Sequence, residues 1–144
     1  MFSSDGNLKP GIHNMSWDIF LRLFGTNIHR LSLLSGLKAA ILSLKQAGCQ
    51  TIYVDGSYVT LKEFPEDYDA CWDVDGVNGS HIDPILLKFD DGRRAMKIKY
   101  KGDLFPAQLK EGGSNQIFLD FFQCDKDTGN PKGIVKLDLL SILL

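Results

Sequence analysis

The chain has 144 residues, of which 44% are hydrophobic and 24% are charged, and this composition is typical of a soluble protein with one hydrophobic core. Its formal net charge of -2 argues against a protein that holds duplex nucleic acid by general neutralisation of phosphates. The apolar runs are too short to span a bilayer and no secretion signal precedes them, so we expect a cytoplasmic protein without a membrane partner. Three widely spaced cysteines indicate neither a disulfide framework nor a zinc site.

Two helices are predicted at the start of the chain. The polar residues 1–7 predict a flexible tail, and residues 8–144 a single domain. Ser16 can cap a short helix that Gly25 ends, and Asn27 can cap a longer helix that ends at Gly48. Apolar residues at steps of three and four predict the face of the longer helix that packs on the core. That predicted face consists of Ile28, Leu31, Leu34, Leu37, Ile41 and Leu44.

Strands alternate with helical segments in the rest of the chain. Residues 51–54 read as a buried strand that ends in the turn Asp55-Gly56-Ser57, and residues 69–74 as a second strand. The later predicted elements are a helical turn in 82–89, a strand or short helix at 93–100, a strand at 104–109, a helix at 114–122 capped by Ser114, and a strand at 134–139. This order predicts an α/β fold, of the α+β type, in which a mixed β-sheet packs against helices.

The residues with the clearest chemical meaning are a glycine-serine turn and a pair of aspartates. Asp67 and Asp69 are two residues apart on a predicted strand, so their carboxylates point to the same side. Paired carboxylates suit a hard cation such as Mg²⁺ or Mn²⁺, which also binds phosphate oxygens. Gly56 lets a phosphate approach the backbone, and Ser57 can donate a hydrogen bond to it. The pair could also be a solvated strand end, and the serine could serve only its own turn.

Two lysines could bring positive charge to the phosphates. Lys62 lies in the loop between the two strands, where its ammonium could reach a triphosphate as a point charge. Lys132 has a similar claim from a later turn. Loop lysines are as often simply solvated, so both assignments stay open.

The order of these features resembles the signature of the nucleotidyltransferase superfamily, which includes polymerase-beta-like and minimal nucleotidyltransferases. That order is a strand, a Gly-Ser turn, a gap, and an Asp-x-Asp pair that enters a second strand. The wider pattern looks like an uncharacterised bacterial family of stand-alone nucleotidyltransferase-like domains. The segments that carry this resemblance include Pro10-Gly-Ile-His13, His29-Arg30, Asp55-Gly-Ser-Tyr-Val-Thr60, Asp69-Ala-Cys-Trp-Asp73 and Pro131-Lys-Gly-Ile134.

The resemblance implies a metal-bound nucleotide site with phosphate held by Gly56 and Ser57 and metal held by Asp67 and Asp69. It also implies a third carboxylate, on a later strand, that helps to activate the attacking hydroxyl. Asp103, before the predicted strand 104–109, is the first choice for this catalytic and metal-binding role, and Asp120 is the second.

The expected function is the metal-dependent transfer of a nucleotidyl group from a nucleoside triphosphate to a hydroxyl of RNA, such as tRNA, or of a protein. The resemblance also implies a frequent role as the toxin of a toxin–antitoxin pair, with a cognate antitoxin or regulator as partner. A basic cluster in 93–101 slightly favours RNA, although it could be only a solvated face. The alternative is a non-catalytic nucleotide-binding or interaction module, because the third carboxylate is not settled.

Overall fold

Five strands form one mixed sheet in the computed structural model, which describes residues 1–142. The strands are β1 (Gly11–Met15), β2 (Thr51–Asp55), β3 (Tyr68–Trp72), β4 (Gly102–Pro106) and β5 (Gly133–Asp138). Their order in the sheet is β1-β5-β2-β3-β4. β2 is antiparallel to both of its neighbours, whereas β1 is parallel to β5 and β3 is parallel to β4. The predicted mixed sheet packed against helices is confirmed.

The helices are α1 (Trp17–Phe24), α2 (Ile28–Gln46), α3 (Arg94–Tyr100) and α4 (Phe118–Phe121). Both predicted N-caps are confirmed: the side chain of Ser16 accepts from the backbone N–H of Ile19, and that of Asn27 from Arg30. The ambiguous segment 93–100 is helical, and the segment 82–89 contains a short 3₁₀ helix, Pro84–Leu87. No helix within residues 1–142 is long and apolar enough to cross a membrane.

One face of the sheet packs against α1, α2 and α3 and forms the main core. The predicted buried face of α2 is correct from Leu34 onward but wrong at its start, because Ile28 is 87% exposed and Leu31 is 45% exposed. Arg30 and Leu33 are buried in their place. The charge of Arg30 can be buried there because its guanidinium donates to the carbonyl of Phe24 at the end of α1 and to carbonyls of the loop after β2.

The opposite face of the sheet is covered by the chain that follows β4. Phe118 stacks on Phe105 of β4 with ring centroids 4.1 Å apart, and with Phe122 it packs over Tyr53 and Cys71 of the sheet. The helix predicted at 114–122 is shorter than expected and Ser114 does not cap it. The residues before α4 pair with other backbone instead, as the N–H of Glu111 donates to the carbonyl of Gln116.

The edge strand β1 was not predicted. Its residues are exposed or half-buried, so no hydrophobic pattern marks it, and only its parallel pairing with the distant β5 makes it a strand. Residues 1–7, which the sequence predicts to be flexible, form a turn closed by a bridge between Phe2 and Leu8. The ring of Phe2 packs edge-on against Phe24 of α1.

Candidate functional site

Three aspartates lie side by side where β2, β3 and β4 meet. In the strand register Asp55 of β2 is opposite Asp69 of β3, and Asp69 is opposite Asp103 of β4. Residues opposite one another in a sheet project from the same face, so these three side chains form a row, here called the aspartate row. Asp67 comes two residues before Asp69, just before the start of β3, so its side chain points to the same side, and we count it as part of the aspartate row.

Part of this row opens into a cleft of about 230 Å³, here called the acidic cleft. Asp55, Asp67 and Asp69 line it together with Gly56 and Ser57. The other wall comes from the segment after α4 and consists of Phe121, Phe122, Cys124, Lys126 and Lys132. The glycine-serine turn and the aspartate pair, which the sequence predicts to act together, therefore line the same cleft.

The turn after β2 requires glycine for two reasons. Gly56 has φ +81°, a left-handed conformation that side chains other than glycine rarely adopt. A Cβ at this position would also meet the side chain of Asp69. Ser57 then begins a single 3₁₀ turn, Ser57–Val59, and its carbonyl accepts a 2.6 Å hydrogen bond from the hydroxyl of Thr60. The turn is therefore rigid and lies against the carboxylates.

A buried arginine holds the loop that continues from this turn. Arg30 is 2% exposed, and its guanidinium donates to the carbonyls of Tyr58 at 2.7 Å, Thr60 at 3.0 Å and Lys62 at 3.2 Å. Burial lowers the pKa of Arg30, but the ring of Tyr58 lies 4.8 Å from the guanidinium carbon and offsets part of that cost. Arg30 thus holds the backbone that leads away from the Gly56-Ser57 turn.

Asp55 is a site residue that the sequence did not single out. It is 3% exposed, and the ammonium of Lys132 lies 3.3 Å from its Oδ1 atom. That contact is an ion pair without hydrogen-bond alignment, since Oδ1 has no hydrogen-bond partner among the described residues. Burial raises the pKa of Asp55 to about 6 even though Lys132 opposes the shift. The available signal was its position at the end of a buried strand, directly before Gly56-Ser57.

The carboxylates of the cleft repel one another in a poorly solvated space. Burial raises the pKa of Asp69 to about 7, and the negative charges of Asp67, Asp55 and Asp103 add to that shift. Burial followed by the charge of Asp103 raises the pKa of Asp67, and Lys97 opposes this shift. Such a cluster is relieved when it takes up protons or a cation.

The donor set fits a hard divalent cation. No group of three or more His, Cys, Asp or Glu side chains within residues 1–142 is already gathered around one point. Magnesium does not need such a cage, because it commonly uses one or two carboxylates and completes its shell with water and substrate phosphates. The three carboxylates of the lining and the mutual repulsion of their charges are compatible with such a cation, although Lys126 and Lys132 already supply positive charge to the same cleft.

Asp103 belongs to the aspartate row but does not line the acidic cleft. Its side chain is 10% exposed, its Oδ1 atom accepts a 2.9 Å hydrogen bond from Arg93, and its Oδ2 atom lies 3.7 Å from the ammonium of Lys97. Asp120, the second choice for a third carboxylate, is an exposed residue of α4 and does not line the cleft. The structure therefore places Asp103 next to Asp69, with Arg93 and Lys97 each forming an ion pair with one of its oxygens.

The two lysines predicted to meet phosphate are in different places. Lys62 is exposed and lines a separate cleft with Arg30 and Thr60, whereas Lys132 lines the acidic cleft. Lys126, which the sequence did not single out, joins Lys132 there. The positive charge beside the Gly56-Ser57 turn comes from the loop before β5.

Comparisons with known proteins give a family but no described activity. A family model described as a family of unknown function, DUF6932, matches residues 1–138. No curated protein and no solved structure matches the chain. Because the match covers nearly all of the sequence, the chain belongs to the DUF6932 family.

Proposed function

We propose that the protein is a metal-dependent nucleotidyltransferase that moves a nucleotidyl group from a nucleoside triphosphate to a hydroxyl of RNA or of a protein. One observation carries the proposal: a rigid glycine-serine turn, three poorly solvated carboxylates and two lysines line a single cleft. Phosphate donors and oxygen ligands for a cation are the two components that phosphoryl chemistry needs in contact with one another.

Each part of the cleft has a distinct task in this proposal. The Gly56 backbone and the Ser57 hydroxyl bind phosphate oxygens, and Lys126 and Lys132 offset the remaining phosphate charge. Asp67 and Asp69 would hold a magnesium or manganese ion, which would supply positive charge beside the phosphates and polarise the reacting one. A bound cation would also stabilise the ionised form of Asp69, whose pKa burial and the neighbouring carboxylates raise to about 7.

The reaction breaks one phosphoanhydride bond and forms one phosphoester bond. The acceptor hydroxyl oxygen attacks the α-phosphorus, and the bond between the α-phosphorus and the bridging oxygen breaks as pyrophosphate leaves with its electron pair. The hydroxyl proton passes to Asp103 through a water molecule in this proposal, since Asp103 is opposite Asp69 in the strand register but lies outside the acidic cleft. Asp103 then releases that proton to water.

A labelling experiment tests the activity. The protein is incubated with α-labelled nucleoside triphosphates, Mg²⁺ or Mn²⁺, and total RNA or total protein, and both the labelled acceptor and the released pyrophosphate are measured. We expect label on one acceptor class with the wild type and with Asp120→Asn, a control at an exposed aspartate of α4. Asp67→Asn and Asp69→Asn should lose the transfer. Absence of any transfer by the wild type with either metal would contradict the proposal.

A second candidate is a nucleotide-binding module without catalysis, partnered by a cognate antitoxin or another regulator protein. The observation that favours it is the engagement of Asp103 by Arg93 and Lys97, which keeps the third carboxylate outside the acidic cleft. This candidate predicts that the triphosphate binds with a metal but that no pyrophosphate appears. Expression in a bacterial host gives another comparison, since only the enzyme should cause toxicity that Asp67→Asn and Asp69→Asn relieve.

A further inference from the structure

A second cleft meets the acidic cleft at Asp67. It has a volume of about 420 Å³, and Leu33, Glu66, Asp67, Lys97 and Lys101 line it. Leu33 lies on α2 and Lys97 on α3, so we name it the α2–α3 cleft. Because Asp67 also lines the acidic cleft, a ligand in the α2–α3 cleft can reach this carboxylate without entering the space beside Gly56 and Ser57.

The two lysines of the α2–α3 cleft keep most of their charge available to a ligand. Lys101 donates to the carbonyl and hydroxyl of Ser32 and to the hydroxyl of Ser35, at 3.1–3.3 Å, and all of these acceptors are neutral. Lys97 is 43% exposed, and within residues 1–142 its ammonium forms one ion pair, the 3.7 Å contact with Asp103. Glu66 is also part of the lining but forms no ion pair with either lysine in the described residues.

The backbone at the end of α3 holds Lys101, one of the two lysines of the α2–α3 cleft, in place. Lys101 ends α3 in a left-handed conformation with φ 63°, at a position where helices usually have glycine. A residue other than glycine is strained in this conformation, because its Cβ crowds the neighbouring backbone. Gly36 of α2 allows close packing here, since a Cβ on it would lie 2.2 Å from the carbonyl oxygen of Tyr100. The lysine is therefore kept in a strained position directly beside the serines of α2.

We propose that the α2–α3 cleft binds the end of an RNA strand, which makes RNA the acceptor; this inference rests on the proposed nucleotidyl transfer. Phosphodiesters next to the terminal hydroxyl contact Lys97 and Lys101, and the hydroxyl faces Asp67. An RNA end carries an anionic phosphodiester within one nucleotide of its hydroxyl, which matches two available ammonium groups adjacent to a carboxylate of the reaction site. A serine, threonine or tyrosine hydroxyl of a protein carries no such anion.

Equilibrium binding of a short single-stranded RNA with a free 3′ hydroxyl tests the site directly. Fluorescence anisotropy is measured with Mg²⁺ and without triphosphate, between about 50 and 200 mM salt. Two phosphate contacts on a single strand predict a slope of log K against log salt of about −1.4, and Lys97→Gln or Lys101→Gln should each reduce it by about 0.7. Each variant should weaken binding several-fold, and Lys101→Arg should largely restore it. Lys110→Gln is the matched control at an exposed lysine beyond the other end of β4.

The outcomes separate this inference from the proposed function. All variants are first shown to be folded by circular dichroism. If Lys97→Gln and Lys101→Gln then bind RNA with the same affinity as Lys110→Gln, the α2–α3 cleft is not an RNA-binding site. If label is transferred to protein rather than RNA, and the transfer rate is the same in Lys97→Gln and Lys101→Gln as in the wild type, the α2–α3 cleft does not bind the acceptor. Nucleotidyl transfer itself would still be supported. If the two lysine substitutions weaken RNA binding but the wild type transfers no label, the RNA is not an acceptor and the proposed function is wrong as well. A DNA strand of equal sequence shows whether the cleft needs the ribose 2′ hydroxyl.

Discussion

Gly56 and Asp69 lie so close to one another that a Cβ on Gly56 would be 2.6 Å from the Oδ2 atom of Asp69. The turn proposed to bind phosphate and the carboxylate proposed to bind metal are therefore in direct contact. The sheet also links the two positions, because Gly56 directly follows β2 and Asp69 is paired with Asp55, the last residue of that strand. A substitution at the turn should consequently alter cation binding, even though glycine has no side chain to offer a metal.

The substitution Gly56→Ala tests this coupling. We expect it to lower the free energy of unfolding by about 1–3 kcal/mol, since alanine must adopt a positive φ and displace the carboxylate. Binding of Mn²⁺ and of a non-hydrolysable triphosphate, measured by calorimetry, should be lost. Gly79→Ala is the matched control because its Cβ would meet no atom within 4 Å, and it should change stability by less than about 0.5 kcal/mol. Normal triphosphate binding by Gly56→Ala would show that the two parts act independently.

Asp69 should make the metal-free protein less stable at neutral pH than at acid pH. Its pKa is raised from 3.8 to about 7 in the folded protein, so the folded state holds a proton that the unfolded state has already released. Stability from this group is present below about pH 4 and is lost as the pH rises towards 7. The loss is at most about 4 kcal/mol, since each pH unit corresponds to 1.36 kcal/mol.

The variant Asp69→Asn checks this sign. Denaturant unfolding without metal should show that the variant is more stable than the wild type at about pH 8, by an amount within that limit, and that the difference shrinks towards pH 4. Asp120→Asn, at an exposed position, should follow the wild-type curve. A loss of stability in Asp69→Asn at pH 8 would mean that its carboxylate stabilises the metal-free fold.

Cation affinity should increase with pH in the range where the buried carboxylates release their protons. The pKa values of Asp55 and Asp69 are raised to about 6 and about 7, and a metal competes with those protons for the same oxygens. Mn²⁺ should therefore raise the melting temperature more at about pH 8 than at about pH 5.5, with proton release detectable by calorimetry in buffers of different ionisation enthalpy. A melting-temperature shift that does not depend on pH would argue that Mn²⁺ binds elsewhere.

Arg30 is expected to matter for both stability and triphosphate binding. Arg30→Met leaves the carbonyls of Tyr58, Thr60 and Lys62 without their buried donor, which should cost about 2–5 kcal/mol. The loop after Ser57 should then loosen and the affinity for triphosphate should fall. Arg30→Lys should retain part of both properties, while Arg22→Met, at an exposed position of α1, should retain both fully. Full triphosphate affinity in a folded Arg30→Met protein would remove Arg30 from the support of the site.

The sequence predicted those features that depend on local physics. Ser16 and Asn27 were identified as caps because a side-chain acceptor before a helix satisfies free backbone amides. The carboxylates of Asp67 and Asp69 were expected to point to one side because strand side chains alternate, and both line the acidic cleft. The presence of Gly56 and Ser57 in the same cleft follows from the antiparallel pairing of β2 and β3.

Features that depend on distant pairing were not predicted. Asp55 becomes a cleft residue because of its register with Asp69, and Lys126 because the loop before β5 folds over that end of the sheet. The position of Asp103 in a strand was near the predicted one, but its ion pair with Arg93 depends on how α3 packs beside β4. Arg30 was placed on a helix, yet its burial requires carbonyl acceptors from the loop after β2.

The order of the strands also has a consequence for synthesis of the protein. β5 is the last strand of the chain but lies between β1 and β2 in the sheet. While the ribosome is still translating the codons before residue 133, the nascent chain lacks the strand that joins its first strand to the strands that carry the aspartates. The lysine next to Asp55 also belongs to that late segment. The acidic cleft can therefore be completed only after the residues of β5 have emerged from the ribosome.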